Sequence, residues 1–233
     1  MRIARFTVDS EIHFGAVQGA AGEETVTVLA PVIPRSKIVC VGRNYADHAA
    51  ELGNEVPASP MLFFKPNTSV AGPGDPVTLP AWTEQVSYEA ELAVVIGRMC
   101  KDVPVERVPE VVFGYTAAND LTGRDVQKTD GQWARAKGFD GACPLGPWIE
   151  TDLDTSSLAV RSRVNGVTKQ DGNTRDMVFD VAFLVSYVSQ AFTLLPGDVV
   201  LTGTPAGVGI VDEGDRIEVE VEGIGVLPTV LRR

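Results

Sequence analysis

Hydrophobic and polar residues alternate over short runs along most of this chain, a pattern typical of half-buried β-strands. It predicts strands over Arg2–Val8, Ile12–Val17, Thr25–Leu29, Lys37–Gly42, Met61–Lys65, Leu158–Asn165, Val167–Gln170, Val199–Thr202 and Arg216–Glu222. Two helices are predicted: a short one over Tyr45–Leu52, capped by Asn44 and closed by Gly53, and a long, largely buried one over Phe179–Phe192. Because strands dominate and regular βαβ alternation is absent, the sequence predicts an α+β fold.

Two further predicted strands carry acidic residues: Glu89 and Glu91 lie two apart in an apolar run, and Asp120 ends another. Side chains two apart on a strand share a face, so Glu89 and Glu91 lie side by side. The opposite face is predicted to be core and carries Tyr88, Ala90, Leu92, Val94 and Ile96. Buried neighbouring carboxylates repel unless a cation neutralises them, and oxygen ligands favour a hard divalent ion. A solvent-facing strand with hydrated glutamates is the alternative interpretation.

The charge and the cysteine and histidine content of the sequence limit the binding partners and metals that we expect. The 233 residues carry a formal net charge of −11 with no basic run, which argues against nucleic acid or an anionic membrane. The three scattered cysteines favour reduced thiols in the cytoplasm, and only two histidines disfavour a nitrogen-rich zinc site. We expect neither a signal peptide nor a membrane span.

Other polar residues could supply chemistry near such an ion. His48 and Glu51 lie three apart on the short predicted helix, so they share a face and could position and deprotonate a water. An ordinary polar surface helix is the alternative. Arg124, Gln127 and Lys137 could clamp a carboxylate or stabilise an oxyanion, or they could form surface ion pairs.

The segment Leu201–Gly209 ends a strand in a glycine-rich turn. It lacks the Gly-Lys-Ser/Thr of a phosphate-binding loop, which disfavours nucleotide binding. Main-chain amides such as that of Gly203, together with the Thr204 hydroxyl, could still receive a small carboxylate. A tight turn between strands is compatible with that role.

The order of the motifs is more specific than any one of them. They occur in series as Gly42–His48, Phe63–Pro66, Tyr88–Leu92, Asn119–Asp125, Ala136–Asp140 and Leu201–Pro205. This series resembles the fumarylacetoacetate hydrolase family, in its branch of short acylpyruvases and oxaloacetate decarboxylases. The resemblance covers residues 34–233 and implies a catalytic domain with a twisted, rolled mixed β-sheet, and a homodimer. Residues 1–33 are similar to the small N-terminal β domain of many bacterial members.

The resemblance implies a metal site and a catalytic pair. Glu89, Glu91 and Asp120 match the residues that bind Mg²⁺ or Mn²⁺ in the family. His48 and Glu51 match a His/Glu pair on a lid helix. A further acidic ligand, present in fumarylacetoacetate hydrolase itself, is not matched in this sequence.

Substrate contacts are implied as well. Lys137 matches the lysine that contacts a bound 2-oxo acid, and Arg124 and Gln127 match polar residues of the pocket wall. Thr204, next to Gly203, matches the threonine at the substrate carboxylate. The implied partner is therefore a small-molecule 2-oxo acid.

The implied reaction passes through an enolate of the 2-oxo acid, stabilised by the cation. Attack by a water that Glu51 activates and His48 orients gives C–C hydrolysis of an acylpyruvate or fumarylpyruvate, and loss of CO₂ gives decarboxylation of oxaloacetate. The His48/Glu51 pair favours these two reactions. A family alternative is a 2-hydroxyhepta-2,4-diene-1,7-dioate isomerase or 5-oxopent-3-ene-1,2,5-tricarboxylate decarboxylase of aromatic catabolism. An alternative of another class is a non-catalytic binding protein whose carboxylates hold a structural ion.

Overall fold

The structure, a computed structural model, describes residues 1–17, 26–51, 53 and 55–233. In these ranges the strands are β1 Arg2–Val8, β2 Glu11–Ala16, β3 Thr27–Leu29, β4 Ile38–Gly42, β5 Met61–Lys65, β6 Val70–Ala71, β7 Pro76–Thr78, β8 Val86–Tyr88, β9 Ala90–Ile96, β10 Val112–Asn119, β11 Thr122–Gly123, β12 Cys143–Glu150, β13 Ala159–Val164, β14 Val167–Asn173, β15 Val199–Leu201, β16 Gly209–Val211, β17 Arg216–Val221 and β18 Gly225–Arg232. The α-helices are α1 Ala46–Glu51, α2 Arg124–Thr129, α3 Ala134–Gly138 and α4 Val181–Ala191, and 3₁₀ helices span Asn67–Ser69, Val105–Glu110 and Thr174–Asp176. The predicted strand-rich α+β class is confirmed.

Most strands belong to two sheets that share a core. The larger sheet has ten strands in the order β2-β1-β12-β10-β9-β15-β4-β5, with β3 beside β1 and β6 beside β12. A five-stranded sheet has the order β14-β13-β17-β18-β7, and β11-β8-β16 form a small third sheet. Neighbours are mostly antiparallel, but β15 is parallel to β4, so the large sheet is mixed.

Strand β9 lies near the centre of the large sheet and is buried on both faces. Ala93 and Val95 face a core cluster on one side of the sheet. The other side meets the five-stranded sheet and carries Tyr88, Ala90, Leu92, Val94 and Ile96. The predicted alternation is therefore confirmed, although Glu89 lies at the break between β8 and β9.

The N-terminal strands continue the large sheet. β1 pairs with β12, with Arg2 opposite Glu150 and Ile3 opposite Ile149. The predicted strand over Thr25–Leu29 is found from Thr27 onward, and Thr25 lies outside the described residues. A domain boundary between residues 33 and 34 stays a prediction.

The short helix begins later than expected, and the predicted cap is wrong. Helix α1 begins at Ala46, so Tyr45 rather than Asn44 precedes it. The Asn44 side chain accepts the N–H of Phe179 at 2.9 Å and donates to the carbonyl of Thr202 at 2.8 Å. It therefore fastens two distant segments. Gly53 has the left-handed φ of +68° expected of a closing glycine, and Leu52 lies outside the described residues.

Most residues of helix α4 are buried, as expected, but the helix is shorter than the predicted Phe179–Phe192 and one side is exposed. Its 11 residues begin after Asp180, whose side chain accepts the N–H of Phe183 at 2.8 Å. Phe183 is 40% exposed and stacks between Phe179 and Tyr187. None of the helices in the described ranges has the length and hydrophobicity that a membrane crossing requires.

Asp198 fastens the parallel pair of strands β4 and β15. The side chain is buried, and its two oxygens accept the N–H groups of Ser36, Lys37 and Leu195 at 2.9–3.1 Å. The Lys37 ammonium lies 2.9 Å from Oδ2. Burial alone would raise the pKa of Asp198, but these hydrogen bonds lower it below its ordinary value.

We expect Asp198→Asn to lower the free energy of unfolding by about 1–3 kcal/mol at neutral pH, because buried donors lose a charged acceptor. A lowered pKa stabilises the fold above the unfolded pKa of about 3.9 and loses that effect as pH falls. Urea unfolding from about pH 7 down to about pH 3.5 should therefore show the difference from the wild type shrinking. Asp212→Asn, at an exposed ion pair with Arg233, is the control. A difference independent of pH would contradict this explanation.

Candidate active site

The three predicted carboxylates meet at one end of strands β9 and β10. Glu91 pairs with Ala118 across the two strands, and Asp120 directly follows β10. Each of Glu89, Glu91 and Asp120 offers an oxygen within 4.8 Å of the others, and all three are buried. The antiparallel register thus brings together residues about 30 positions apart in the sequence.

Two basic side chains neutralise one side of this cluster. Lys137 Nζ lies 2.8 Å from Glu89 Oε2 and 2.8 Å from Asp120 Oδ2, and Arg124 binds the other oxygen of Glu89. Burial opposes ionisation of Glu89, but the charges of Lys137 and Arg124 hold its pKa below the usual range. Burial likewise favours the neutral amine of Lys137, but Asp120 and Glu89 raise its pKa, so it remains an ammonium.

Glu91 has no such partner: no basic side chain of the described residues forms an ion pair with it. It accepts the main-chain N–H of Gly203 at 2.7 Å. Burial, followed by the negative charges of Asp120 and Glu89, raises the pKa of Glu91 well above its ordinary value. A divalent cation among the three carboxylates would relieve this, and an all-oxygen donor set suits Mg²⁺ or Mn²⁺. The residues present therefore fit such an ion.

Lys65 is a third basic side chain in this cluster, and no role was predicted for it from the sequence. It is 1% exposed, and its Nζ lies 2.7 Å from Asp120 Oδ1. The same ammonium donates to the carbonyls of Ala142 at 2.8 Å and Leu121 at 3.2 Å, and to that of Lys137. The available signal was a charged residue at the end of the apolar run Met61–Lys65, within one of the matched motifs.

A cavity of about 300 Å³ opens over the carboxylates. Several predicted site residues line it: His48, Glu89, Glu91, Arg124, Gln127, Lys137 and Thr204. The wall also includes Val41, Gly42, Arg43, Phe63, Lys128 and Trp133. Arg43 has a left-handed φ of +59°, a conformation that non-glycine residues adopt mainly where surrounding contacts enforce it.

His48 and Glu51 contact each other but have different positions. His48 Nδ1 lies 3.1 Å from Glu51 Oε2, and His48 is 5% exposed and lines the cavity. Glu51 also accepts the main-chain N–H of Gly207 at 3.1 Å. The Gly207 carbonyl in turn accepts the hydroxyl of Tyr88 at 2.8 Å. The pair is thus tied to the glycine-rich turn.

The polar groups of Gly203 and Thr204 already have partners. The Gly203 N–H is donated to Glu91, and the Thr204 hydroxyl donates to Ala90 O at 2.8 Å and accepts from Gln170 Nε2 at 2.8 Å. A contact from either group to a substrate carboxylate would require one of these bonds to open. Their predicted substrate-binding role stays a prediction.

Arg124 and Gln127 lie together on helix α2. Arg124 donates from its second terminal nitrogen to Gln127 Oε1 at 2.8 Å while it binds Glu89. The amide nitrogen of Gln127 therefore remains available to face the cavity. Both side chains occupy the cavity wall, as expected for residues that contact a small anion.

Comparison with known proteins identifies relatives over the whole chain. A family model described as "Fumarylacetoacetate (FAA) hydrolase C-terminal" matches residues 37–232, and one described as "Rv2993c-like, N-terminal" matches residues 1–43. Protein Rv2993c of Mycobacterium tuberculosis is 45% identical, over 97% of this chain and 96% of its own length. The human mitochondrial oxaloacetate tautomerase FAHD2A is 44% identical, over 87% of this chain and 68% of its own length.

Solved structures agree with this assignment. The 5-carboxymethyl-2-hydroxymuconate delta-isomerase of Mycobacterium smegmatis has a TM-score of 0.93 and 45% identity, covering 100% of this chain and 99% of its own. The fumarylpyruvate hydrolase of Pseudomonas aeruginosa, in complex with Mn²⁺ and pyruvate, has a TM-score of 0.81 and 32% identity, covering 91% and 93%. With a family model over most of its length and relatives of this similarity, the chain belongs to the fumarylacetoacetate hydrolase family.

Proposed function

We propose that this protein is a divalent-metal-dependent enzyme acting on a small 2-oxo acid, by C–C hydrolysis of an acylpyruvate or fumarylpyruvate or by decarboxylation of oxaloacetate. The observation that carries the proposal is the cluster of three buried carboxylates, two of which, Glu89 and Glu91, line a cavity of about 300 Å³ with basic side chains in its wall. Such a cavity accommodates a small anion, and its charges suit a bound cation together with a carboxylate substrate.

Glu89, Glu91 and Asp120 would hold the ion, which we propose to be Mg²⁺ or Mn²⁺. When bound, the ion supplies Lewis acidity toward the carboxylate and keto oxygens of a 2-oxo acid. The structurally similar fumarylpyruvate hydrolase of Pseudomonas aeruginosa, in complex with Mn²⁺ and pyruvate, supports this choice of ion and substrate class.

Lys137 and Arg124 would stabilise negative charge as it develops on the substrate. Bond cleavage beyond the carbon next to the keto group leaves an electron pair that delocalises onto the keto oxygen as an enolate. Both side chains line the cavity, and both are fixed by Glu89 before substrate arrives. Charge held in place in advance costs no reorganisation in the transition state.

His48 and Glu51 would activate the water needed for hydrolysis. Glu51 engages His48 Nδ1, and the Nε2 atom, which has no hydrogen-bond partner among the described residues, would accept a proton from a water in the cavity. The oxygen of that water attacks the distal carbonyl carbon, and the Glu51 carboxylate stabilises the imidazolium that forms. The prediction from the sequence had Glu51 activate the water with His48 orienting it. The geometry favours the reverse, because His48 lines the cavity while Glu51 binds the main-chain N–H of Gly207.

A second candidate function is proton relocation without C–C cleavage. The relatives named as an isomerase and as an oxaloacetate tautomerase support it. The same enolate is reprotonated at carbon rather than released after cleavage, and His48 is the cavity group that could return the proton. Ring-fission dienoates of aromatic catabolism belong to this candidate. A protein that only holds a structural ion is the non-catalytic alternative.

The cysteines bear on the cellular setting of the protein. All three cysteines are free thiols, and Cys40 and Cys143 are buried. We propose a cytoplasmic location from this cysteine usage and a homodimer from the family resemblance. Sedimentation of the purified protein would test the dimer.

The first experiment incubates the purified protein with Mg²⁺ or Mn²⁺ and, separately, with acetylpyruvate and oxaloacetate. We expect ultraviolet absorbance to show turnover of at least one substrate, abolished by a chelator and restored by excess metal. The ratio of the rates assigns hydrolysis or decarboxylation, and the interconversion of keto and enol oxaloacetate tests the second candidate. Metal binding without turnover of either compound or of a ring-fission dienoate would contradict an enzymatic function.

We expect Glu91→Gln to abolish metal binding and turnover, because Glu91 is the carboxylate without a basic partner among the described residues. Loss of several kcal/mol of charge stabilisation corresponds to roughly a thousandfold or greater fall in kcat. Calorimetric titration with Mn²⁺ measures binding directly. Glu106→Gln, at an exposed position, should change neither quantity. Retained Mn²⁺ affinity in Glu91→Gln would refute the proposed ligand set.

We expect Glu51→Gln to lower kcat for hydrolysis by about 100-fold or more while affecting decarboxylation much less, since only hydrolysis needs an attacking water. The glutamine amide could also donate to His48 Nδ1. This would favour the tautomer protonated at Nε2, which cannot accept a proton from water at that atom. Steady-state rates with acetylpyruvate and oxaloacetate provide the comparison. Asp47→Asn, an exposed change on the same helix, is the control. Equal losses in both reactions would count against the water-activating pair.

A further inference from the structure

The peptide groups between the two glutamates lack a neighbouring strand on one side. Strand β15 pairs with β9 from Val199 opposite Val95 to Leu201 opposite Ala93, and then ends. Ala90, which separates Glu89 from Glu91, lies beyond that end. Its main-chain N–H and C=O would be left without strand partners on this side, a costly arrangement for buried groups.

Two buried side chains take the place of the missing strand. Gln170 Oε1 accepts the N–H of Ala90 at 3.0 Å, and the Thr204 hydroxyl donates to the Ala90 carbonyl at 2.8 Å. Gln170 Nε2 donates to Thr204 Oγ1 and to the Pro205 carbonyl, both at 2.8 Å. The orientation of the Gln170 amide follows from these partners, because the Pro205 carbonyl can only accept and the Ala90 N–H can only donate.

Close backbone packing fixes Gln170 in this position. The side chain is 0% exposed and belongs to β14, the edge strand of the five-stranded sheet. A Cβ at Gly172 would lie 2.4 Å from Pro205 Cβ, and one at Gly207 would lie 2.2 Å from the Lys169 carbonyl oxygen. The two segments therefore pack closely on either side of Gln170, with the Gly172 backbone against the Pro205 ring and the Gly207 backbone against that of Lys169.

We propose that Gln170 is a positioning residue for the metal site, a role that rests on the proposed function. By holding both polar groups of Ala90, directly and through Thr204, it fixes the peptide units that carry Glu89 and Glu91. The spacing of the two carboxylates, and hence the affinity for a divalent cation, then depends on an amide that itself is no ligand. Outer hydrogen bonds of this kind typically change metal affinity by about 10–100-fold.

The test is a titration of the chelator-treated full-length protein with Mn²⁺, followed by calorimetry or electron paramagnetic resonance. Gln170→Met removes the amide at nearly constant volume, and we expect its Kd for Mn²⁺ to rise by about 10–100-fold. Ser162→Ala is the matched control: Ser162 is buried directly opposite Gln170, and its hydroxyl has no hydrogen-bond partner among the described residues. Its Kd should stay within about twofold of the wild type.

Metal-free urea unfolding separates this role from a purely structural one, which would lower stability but leave the Kd of the folded protein unchanged. A folded Gln170→Met with wild-type Kd would overturn the role of Gln170. If Gln170→Met does not fold, Thr204→Val tests the part of the role that passes through Thr204, since it removes the hydroxyl that links Gln170 to the Ala90 carbonyl. A rise of about tenfold supports the role, and an unchanged Kd overturns it. Absence of Mn²⁺ binding by the wild type would instead overturn the proposed function, and with it this role.

Discussion

Mutual repulsion among three buried carboxylates is the constraint on which the rest of this structure depends. Their oxygens lie within 4.8 Å of one another, at a depth where unpaired charge is costly. Three basic side chains form ion pairs with Glu89 and Asp120: Lys65 from β5, Arg124 from α2 and Lys137 from α3. Segments scattered over some 70 residues are therefore fastened to one point by charge. Two of these cations line the cavity, so the groups that stabilise the fold are also those placed to meet an anionic substrate.

The cavity exists because regular pairing stops beside these carboxylates. β15 ends at Leu201, and the chain turns away through Gly203 and Thr204 instead of extending the sheet. Buried side chains complete the hydrogen bonding of the β9 edge beyond Leu201, and His48 lines the cavity beside it. The site thus lies where regular strand pairing ends. Departures from regular structure of this kind are expected at functional sites.

The sequence pattern predicted strands and turns whose structure depends on residues close together in the chain. Alternation around Glu91 identified the core face of β9. The two strands predicted on either side of Gly166 pair with each other across a turn in which Asn165 and Gly166 have positive φ. Strands β12 and β18 were not predicted, because prolines and glycines interrupt their apolar runs. Lys65 and Gln170 owe their roles to partners 55 and 80 residues away, which no local pattern contains. Asn44 was predicted to cap a helix because its true partners, Phe179 and Thr202, are likewise distant in the sequence.

Gln170 joins the edge of one sheet to the carboxylate strand of another, and this has a consequence for the order of folding. Ala90 lies 80 residues from Gln170 and 114 from Thr204, so these bonds close long loops of the chain. Contacts of such range form late, when the sheets have already docked. A cation held by Glu89 and Glu91 would therefore recognise the finished assembly and not its parts. Bound metal would therefore stabilise the native state by mass action, but it would not speed the folding that forms the site.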